Sequence, residues 1–306
     1  MSDPVVVLAG GTGGAKLARG MLDIVGPDDL IVIANTADDI EIYGAYVSPD
    51  PDLVTFWLGD LIDERGWGLS GDTFHTMQGL RDLGVEVWFN LGDRDLAIGI
   101  ERARQLAAGV RLTEAQRSIA EALGVPTRVL PMSDRPVRTR VIAHDRAWGF
   151  QEFMIRGGGR GPVDDVEFRG ARTAAASADV LEAIDQARAI IIGPSNPVIS
   201  IGPILALGGM REALRDAKAP VVAVSPLVRG AVVKGPTEPF MTWLGQPLTS
   251  DGIAATYGGI IDGLIADEPA EVLPVLQTDV LMETAAARTR LAGEALDFAL
   301  GLARDG

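Results

Sequence analysis

The chain has 306 residues, 47% of them hydrophobic and 23% charged, which suits a globular protein able to bury one large core or two modest ones. A formal net charge of −15 opposes a nucleic-acid backbone, the absence of cysteine excludes disulfides, thiolate catalysis and cysteine-type zinc sites, and two histidines, His75 and His144, are too few for a histidine-rich metal centre. The most apolar stretch, Ala189 to Gly209, is broken by Pro194, Pro197 and Pro203, so no membrane span is expected; with no basic leader visible, a cytoplasmic location is expected by default.

In chain order, apolar β-branched runs at Val5–Leu8, Leu30–Ala34, Val85–Asn90, Ala189–Ile192 and Val221–Ser225 alternate with amphipathic segments. This rhythm predicts an α/β Rossmann-like fold, a mostly parallel sheet with helices on both faces. Helices are expected over Lys16–Val25, Ser70–Leu83, Leu96–Ala108, Thr113–Leu123, Ser177–Ala187, Pro203–Ala217 and Glu283–Arg304. Between Val137 and Phe168 the pattern shortens into extended pieces, Thr139–Ala143, Gly149–Ile155 and Val166–Arg169, around the glycine run at 157–159. One domain over 1–306 is therefore expected, with a small α+β lid inserted at 131–176.

The first strand runs into Gly10, Gly11, Thr12, Gly13, Gly14, Ala15 and Lys16 and then a helix, an arrangement that lets backbone N–H groups approach a phosphate. It is not a Walker loop, because Leu17 stands where a magnesium-binding hydroxyl belongs. Past the second strand, Asp38, Asp39, Asp50 and Asp52 lie on segments near the carboxyl end of the sheet, as oxygen ligands for a Mg²⁺ that bridges phosphates or as ordinary turn residues. At the next expected strand end, Asn90, Asp93 and Arg94 are candidates for ligand contact, Arg94 as a phosphate clamp, while Asp93 and Asp95 also suit a helix cap. Ser195 and Asn196 follow a strand of isoleucines, and Ser225-Pro226 repeats that layout one strand later. Trp67, near Arg65, is a candidate to stack on an aromatic ligand or a core residue; His75 and His144 read as packed or surface residues.

Taken in order, GGTGGAK at 10–16, NTADD at 35–39, SPDPD at 48–52, RGWG at 65–68, LGDRD at 91–95, LPMSD at 130–134, GPSNPVISIGPIL at 193–205 and VSP at 224–226 resemble the 2-phospho-L-lactate transferase family, over nearly the whole chain. The resemblance implies a transferase that moves a phospholactyl or phosphoenolpyruvyl group from a guanosine diphosphate-linked donor to the ribityl hydroxyl of the deazaflavin Fo, releasing GMP, in coenzyme F-420 biosynthesis. It implies Mg²⁺ as cofactor, small-molecule substrates, no nucleic-acid or membrane partner, and a homodimer. It also implies that Asp52 contacts Fo, that Asp39 and Asp52 serve catalysis, and that the glycine loop, Lys16, Ser195 and Asn196 hold the guanine nucleotide. Leu53, Asn90, Ile98 and Gly99 depart from the family pattern around the expected Fo pocket. The alternative is a regulatory sugar-nucleotide or NAD-binding protein of the gluconeogenesis-factor type, for which the glycine loop suffices without transfer chemistry.

Overall fold

The computed structural model describes residues 3–302 apart from Lys234. Seven strands form one sheet in the order Val275–Gln277, Gly263–Ala266, Val221–Val224, Ala189–Ile192, Val5–Ala9, Leu30–Ala34, Arg128–Pro131, and each neighbouring pair is parallel. The four strands at 5–9, 30–34, 189–192 and 221–224 are buried throughout, because helices cover both faces and no position can stay polar. Successive residues feed opposite layers: Val6 and Leu8 pack into one hydrophobic core, Val5, Val7 and Ala9 into the other.

The chain first adds strands on one side of Val5–Ala9 and then returns to add Ala189–Ile192 on the other, in register Val5↔Ala189. The connections leaving these two neighbours therefore diverge at their carboxyl ends, where open α/β sheets bind ligands. That switch point brings the GGTGGAK and GPSNP segments together, with Gly10 and Ser195 in contact from 185 positions apart in the chain.

Several expected elements differ. Val85–Asn90 forms no strand; its Val87 and Phe89 pack on a small satellite cluster with Val47, Met77, Leu91 and Leu96, and the sheet edge is taken by Arg128–Pro131. Ser48–Asp52 is the start of the helix Pro49–Leu58, with Pro49 in its first turn, where a missing N–H costs nothing. Ser70–Leu83 is helical only over His75–Asp82. Pro203–Ala217 is not one helix: a π-turn at Pro197–Ile201 leads into Gly202–Leu205, and Gly209, at φ 82°, separates that turn from Met210–Asp216. Residues 138–169 form a three-stranded antiparallel sheet, Arg146–Gly149 beside Arg138–Ala143 beside Val163–Arg169, and the expected strand Gly149–Ile155 is instead the short helix Phe150–Ile155. The C-terminal helix spans Ala285–Gly301; the last two residues of its expected range, Ala303 and Arg304, lie outside the described residues. Among the described residues no helix is long and apolar enough to cross a membrane.

The glycine-loop helix, Gly11–Val25, packs on this C-terminal helix at Gly20, where a Cβ would lie 2.3 Å from the Arg288 carbonyl oxygen. Gly20→Val should therefore separate the two helices and destabilise the fold by about 1–3 kcal/mol, lowering Tm by several degrees in a thermal melt. An unchanged Tm would show that the helices have room to spare.

Candidate functional site

The glycine loop is shaped by its neighbour loop before any ligand arrives. A Cβ at Gly13 would sit 2.1 Å from the Pro194 carbonyl oxygen, one at Gly14 would sit 2.8 Å from Ala9 Cα and 2.9 Å from Ser195 Oγ, and one at Gly10 would sit 2.7 Å from Ser200 Cβ. Gly11 instead supplies a positive φ of 69° with open space beside it. Two donors are already engaged: Gly10 N–H donates to Ser195 Oγ at 3.3 Å and Gly11 N–H to Asp50 Oδ1 at 2.8 Å. The Thr12 and Gly13 N–H groups follow in the first turn, at the positive end of the helix. Gly10 to Gly13, Lys16, Ser195 and Asn196 all line one cavity, whereas Gly14 is turned into the packing. Lys16 Nζ lies 5.8 Å from the Trp57 ring centroid. Asn196 Oδ1 accepts from Val198 and Ile199 N–H and so caps the π-turn.

The four aspartates stand in four different settings, Asp38 and Asp39 in the loop after the second strand and Asp50 and Asp52 in the first turn of the helix Pro49–Leu58. Asp50 is fixed by Gly11 N–H and by Asn35 Nδ2 at 2.9 Å; burial, opposed by these hydrogen bonds, pushes its carboxyl up to about 6. Asp38 lines the cavity with one buried oxygen that has no partner, and burial followed by the Asp50 charge holds it well above the ordinary carboxylate value. Asp39 accepts from Ser48 Oγ at 2.8 Å, lies behind the cavity wall, and is pushed up to about 7 by burial against the Arg138 charge. Asp52 faces the cavity, but both of its oxygens are gripped by Arg102, which also donates to Tyr46 O at 3.0 Å and to Gln116 Oε1 at 3.1 Å.

Arg102 went unread in the sequence. It is fully buried, and it follows Leu96 and Gly99 at helical spacing on the buried face of the helix Asp93–Ala107; an arginine on that stripe is the signal that a carboxylate partner lies beneath it.

Of the three charged residues of LGDRD, only Asp95 lines the cavity. Asp93 accepts from Thr73 Oγ1 and from His75 and Thr76 N–H, capping the helix His75–Asp82, and these bonds hold its carboxyl well below the ordinary range. Asp72 returns the arrangement, accepting from Arg94 N–H at 2.9 Å and Asp95 N–H at 3.1 Å at the start of the next helix. Arg94 donates to Ser70 O. Asp72 and Asp95, not Asp93 or Arg94, line the cavity, together with Asn90, which accepts from Arg81. Of the positions that depart from the family pattern, Leu53 and Asn90 are on the wall; Ile98 and Gly99 are not, and Gly99 lets the helix approach Ala45 and Tyr46.

The cavity holds about 810 Å³, room for a drug-sized ligand or two smaller moieties. Its wall includes Phe56, Trp67, Phe74, Trp88, Phe89 and Phe150, aromatic rings from five separate segments, and Trp88 and Phe89 stack at 5.7 Å. Phe150, Gln151, Met154 and Ile155 reach it from the segment beside the three-stranded sheet.

A divalent cation is tested by this donor set. Among the described residues no three His, Cys, Asp or Glu side chains gather to hold a metal ion. Mg²⁺, however, takes one or two carboxylates and completes its shell with phosphate and water. Asp38, with its unpartnered oxygen, and the neighbouring Asp50 fit that requirement; the Arg102 grip on Asp52 and the setback of Asp39 leave those two less suited to it.

Arg102→Met should leave Asp52 buried without its counter-charge and cost about 3–5 kcal/mol, read as a lower midpoint in urea; an unchanged midpoint would mean the pair is dispensable. Gly13→Val should lower Tm, because the added side chain meets the Pro194 carbonyl oxygen; an unchanged Tm would contradict that close approach. Asp95 is pushed up to about 7 by burial and by Asp52 and Asp72. A carboxyl raised on folding binds more protons folded than unfolded, so its stabilisation is full below about pH 4 and is lost as pH rises through about 7. Tm of the metal-free protein should fall from pH 5 to pH 8, and Asp95→Asn should flatten that fall; parallel profiles would remove Asp95 from the cause.

A model of the family described as 2-phospho-L-lactate transferase CofD matches residues 5–288. A phosphoenolpyruvate transferase of Kitasatospora aureofaciens is 40% identical over 310 residues, covering 94% of this chain and 97% of that protein. A 2-phospho-L-lactate transferase of Methanosarcina mazei is 40% identical over 265 residues, covering 86% and 87%, and one of Methanocaldococcus jannaschii is 37% identical over 305 residues, covering 96% and 97%. A crystal structure of a upf0052 family member from Bacillus halodurans shares the fold, with a TM-score of 0.61 over 97% of this chain and 99% of that one at 16% identity. With eight motifs in register, a family match over almost the full length and relatives near 40% identity, the chain belongs to the 2-phospho-L-lactate transferase family CofD, a family of transferase enzymes.

Proposed function

We propose that this enzyme transfers a phospholactyl or phosphoenolpyruvyl group from a guanosine diphosphate-linked donor to the terminal ribityl hydroxyl of the deazaflavin Fo, releasing GMP, as a step of coenzyme F-420 biosynthesis. One observation carries the reading: a single cavity is lined both by the N-terminus of a 15-residue helix at a glycine loop and by aromatic rings from several segments. The first suits a diphosphate and the second a flat tricyclic ring, and the two substrates of this reaction must meet in one enclosure.

In this reading Thr12 and Gly13 N–H groups, with Lys16, hold the diphosphate, and the Ser195-Asn196 loop borders the nucleotide. Asn196 is itself fixed by the turn it caps, so it meets a ligand already oriented. The aromatic wall fixes the acceptor ring and leaves its ribityl chain directed toward the phosphorus. Transfer then depends mainly on holding nucleophile, phosphorus and leaving oxygen in line and on neutralising charge at the bridging oxygen. Mg²⁺, held by Asp38 and Asp50, would supply that neutralisation when bound. Arg102 holds Asp52 fixed on the wall, where it orients the acceptor. Phe150 to Ile155 make the 131–176 segment a cover that keeps water, a competing nucleophile, away from the phosphorus. The same reading makes the enzyme cytoplasmic and homodimeric, with small molecules and neither nucleic acid nor membrane as partners.

Incubation of the purified protein with Fo, Mg²⁺ and a lactyl or enolpyruvyl guanosine diphosphate donor should release one GMP for each deazaflavin phosphodiester formed, followed by chromatography. Saturable nucleotide binding with no GMP from either donor would overturn the reading in favour of a nucleotide-binding regulator.

A further inference from the structure

The proposed reaction leaves the proton of the attacking hydroxyl without a destination. Six carboxylates line the cavity, Asp38, Asp50, Asp52, Asp72, Asp95 and Glu283, and their surroundings differ. Asp50 is held by Gly11 and Asn35, Asp52 by Arg102, and Asp72 caps a helix with both oxygens. Asp38 belongs with Asp50 at the cation position, and Glu283 is exposed. Asp95 is the remaining one, and among the described residues its carboxyl oxygens accept no hydrogen bond. Its backbone is pinned where it stands, because its own N–H donates to Asp72 Oδ2 at 3.1 Å.

We infer that Asp95 is the proton acceptor of the reaction, the general base toward the acceptor hydroxyl. This rests on the transferase reading above. An oxygen lone pair of the hydroxyl forms the new bond to the distal phosphorus, its proton passes to the Asp95 carboxylate, and the bond from that phosphorus to the bridging oxygen breaks, leaving its electron pair on GMP. The surroundings of Asp95 favour proton uptake. Asp52 on the helix Pro49–Leu58 and Asp72 in the preceding loop repel a second negative charge, Arg102 on the same helix as Asp95 opposes them, and burial adds to the repulsion, so the carboxyl is more basic than an ordinary aspartate and still ionises near neutral pH. Freedom from protein donors matters equally, since a carboxylate saturated with N–H bonds has no lone pair aimed at a substrate proton.

Asp95→Asn replaces the base by a neutral side chain of the same shape. Fo titrated by its fluorescence should bind within threefold of the wild type, while kcat for GMP release should fall at least a hundredfold, with Asp95→Glu in between. Activity of Asp95→Asn within threefold of the wild type would overturn the assignment. Should that variant not fold, Asp95→Glu decides it: the wild-type kcat should fall on acidification as the base is protonated, and Glu should both lower kcat at least tenfold and displace that acid limb. An unchanged limb and kcat would overturn it as well. Absence of GMP with the wild-type protein is a different failure, since it removes the transferase reading itself, and this assignment with it.

Discussion

The architecture depends on how closely two loops can approach at the carboxyl ends of the strands Val5–Ala9 and Ala189–Ile192. With the Pro194 carbonyl oxygen 2.1 Å from where a Gly13 Cβ would lie, and Gly14 Cα 2.8 Å from where one of Gly193 would lie, neither loop tolerates a side chain facing the other. The contact closes the switch point of the sheet from below and leaves the first turn of the helix Gly11–Val25 open above. The glycines thus serve the fold first, and through the fold they deliver N–H groups to the cavity.

Beneath that opening lies the electrostatic character of the site. Burial raises Asp38, Asp39, Asp50 and Asp95 together, each for want of water; Arg138 and Arg102 offset part of the cost at Asp39, and Arg102 at Asp95. A protein optimised for stability alone would not gather these acids, so the arrangement points to chemistry. For a chain with net charge −15 to bind the anionic donor proposed above, local positive character is needed, and in that proposal helix N–H groups, Lys16 and a cation at Asp38 and Asp50 would supply it rather than a basic surface.

The parts of the fold visible in the sequence were those whose pattern records burial on both sides. VVVLA, LIVIA, AIII and VVAV read as central strands because every position is apolar. Gly263–Ala266 opens on a glycine, Arg128–Pro131 begins with an arginine and ends on a proline, and Val275–Gln277 has three residues, so none reads as an apolar run, while the apolar look of Val85–Asn90 comes from packing on a satellite cluster, which sequence does not distinguish from a strand. Motifs were legible as chemistry but not as direction. LGDRD shows two acids and an arginine, yet only three-dimensional pairing reveals that Asp93 and Asp72 cap each other's helices and leave Asp95 for the cavity. SPDPD carried its own clue, a proline and two acids in a first helical turn, beside the stronger habit of reading Asp-Pro as a loop.

The central claim is that both substrates occupy one enclosure, phosphates at the glycine loop and ring against the aromatic wall. A crystal structure of the protein with Fo, GDP and Mg²⁺ tests it most directly. The account predicts the diphosphate on Thr12 and Gly13 N–H, the deazaflavin ring against Trp88, Phe89 or Trp67, and its terminal hydroxyl between Asp52 and Asp95. A deazaflavin bound outside this cavity, or a diphosphate away from the glycine loop, would contradict it.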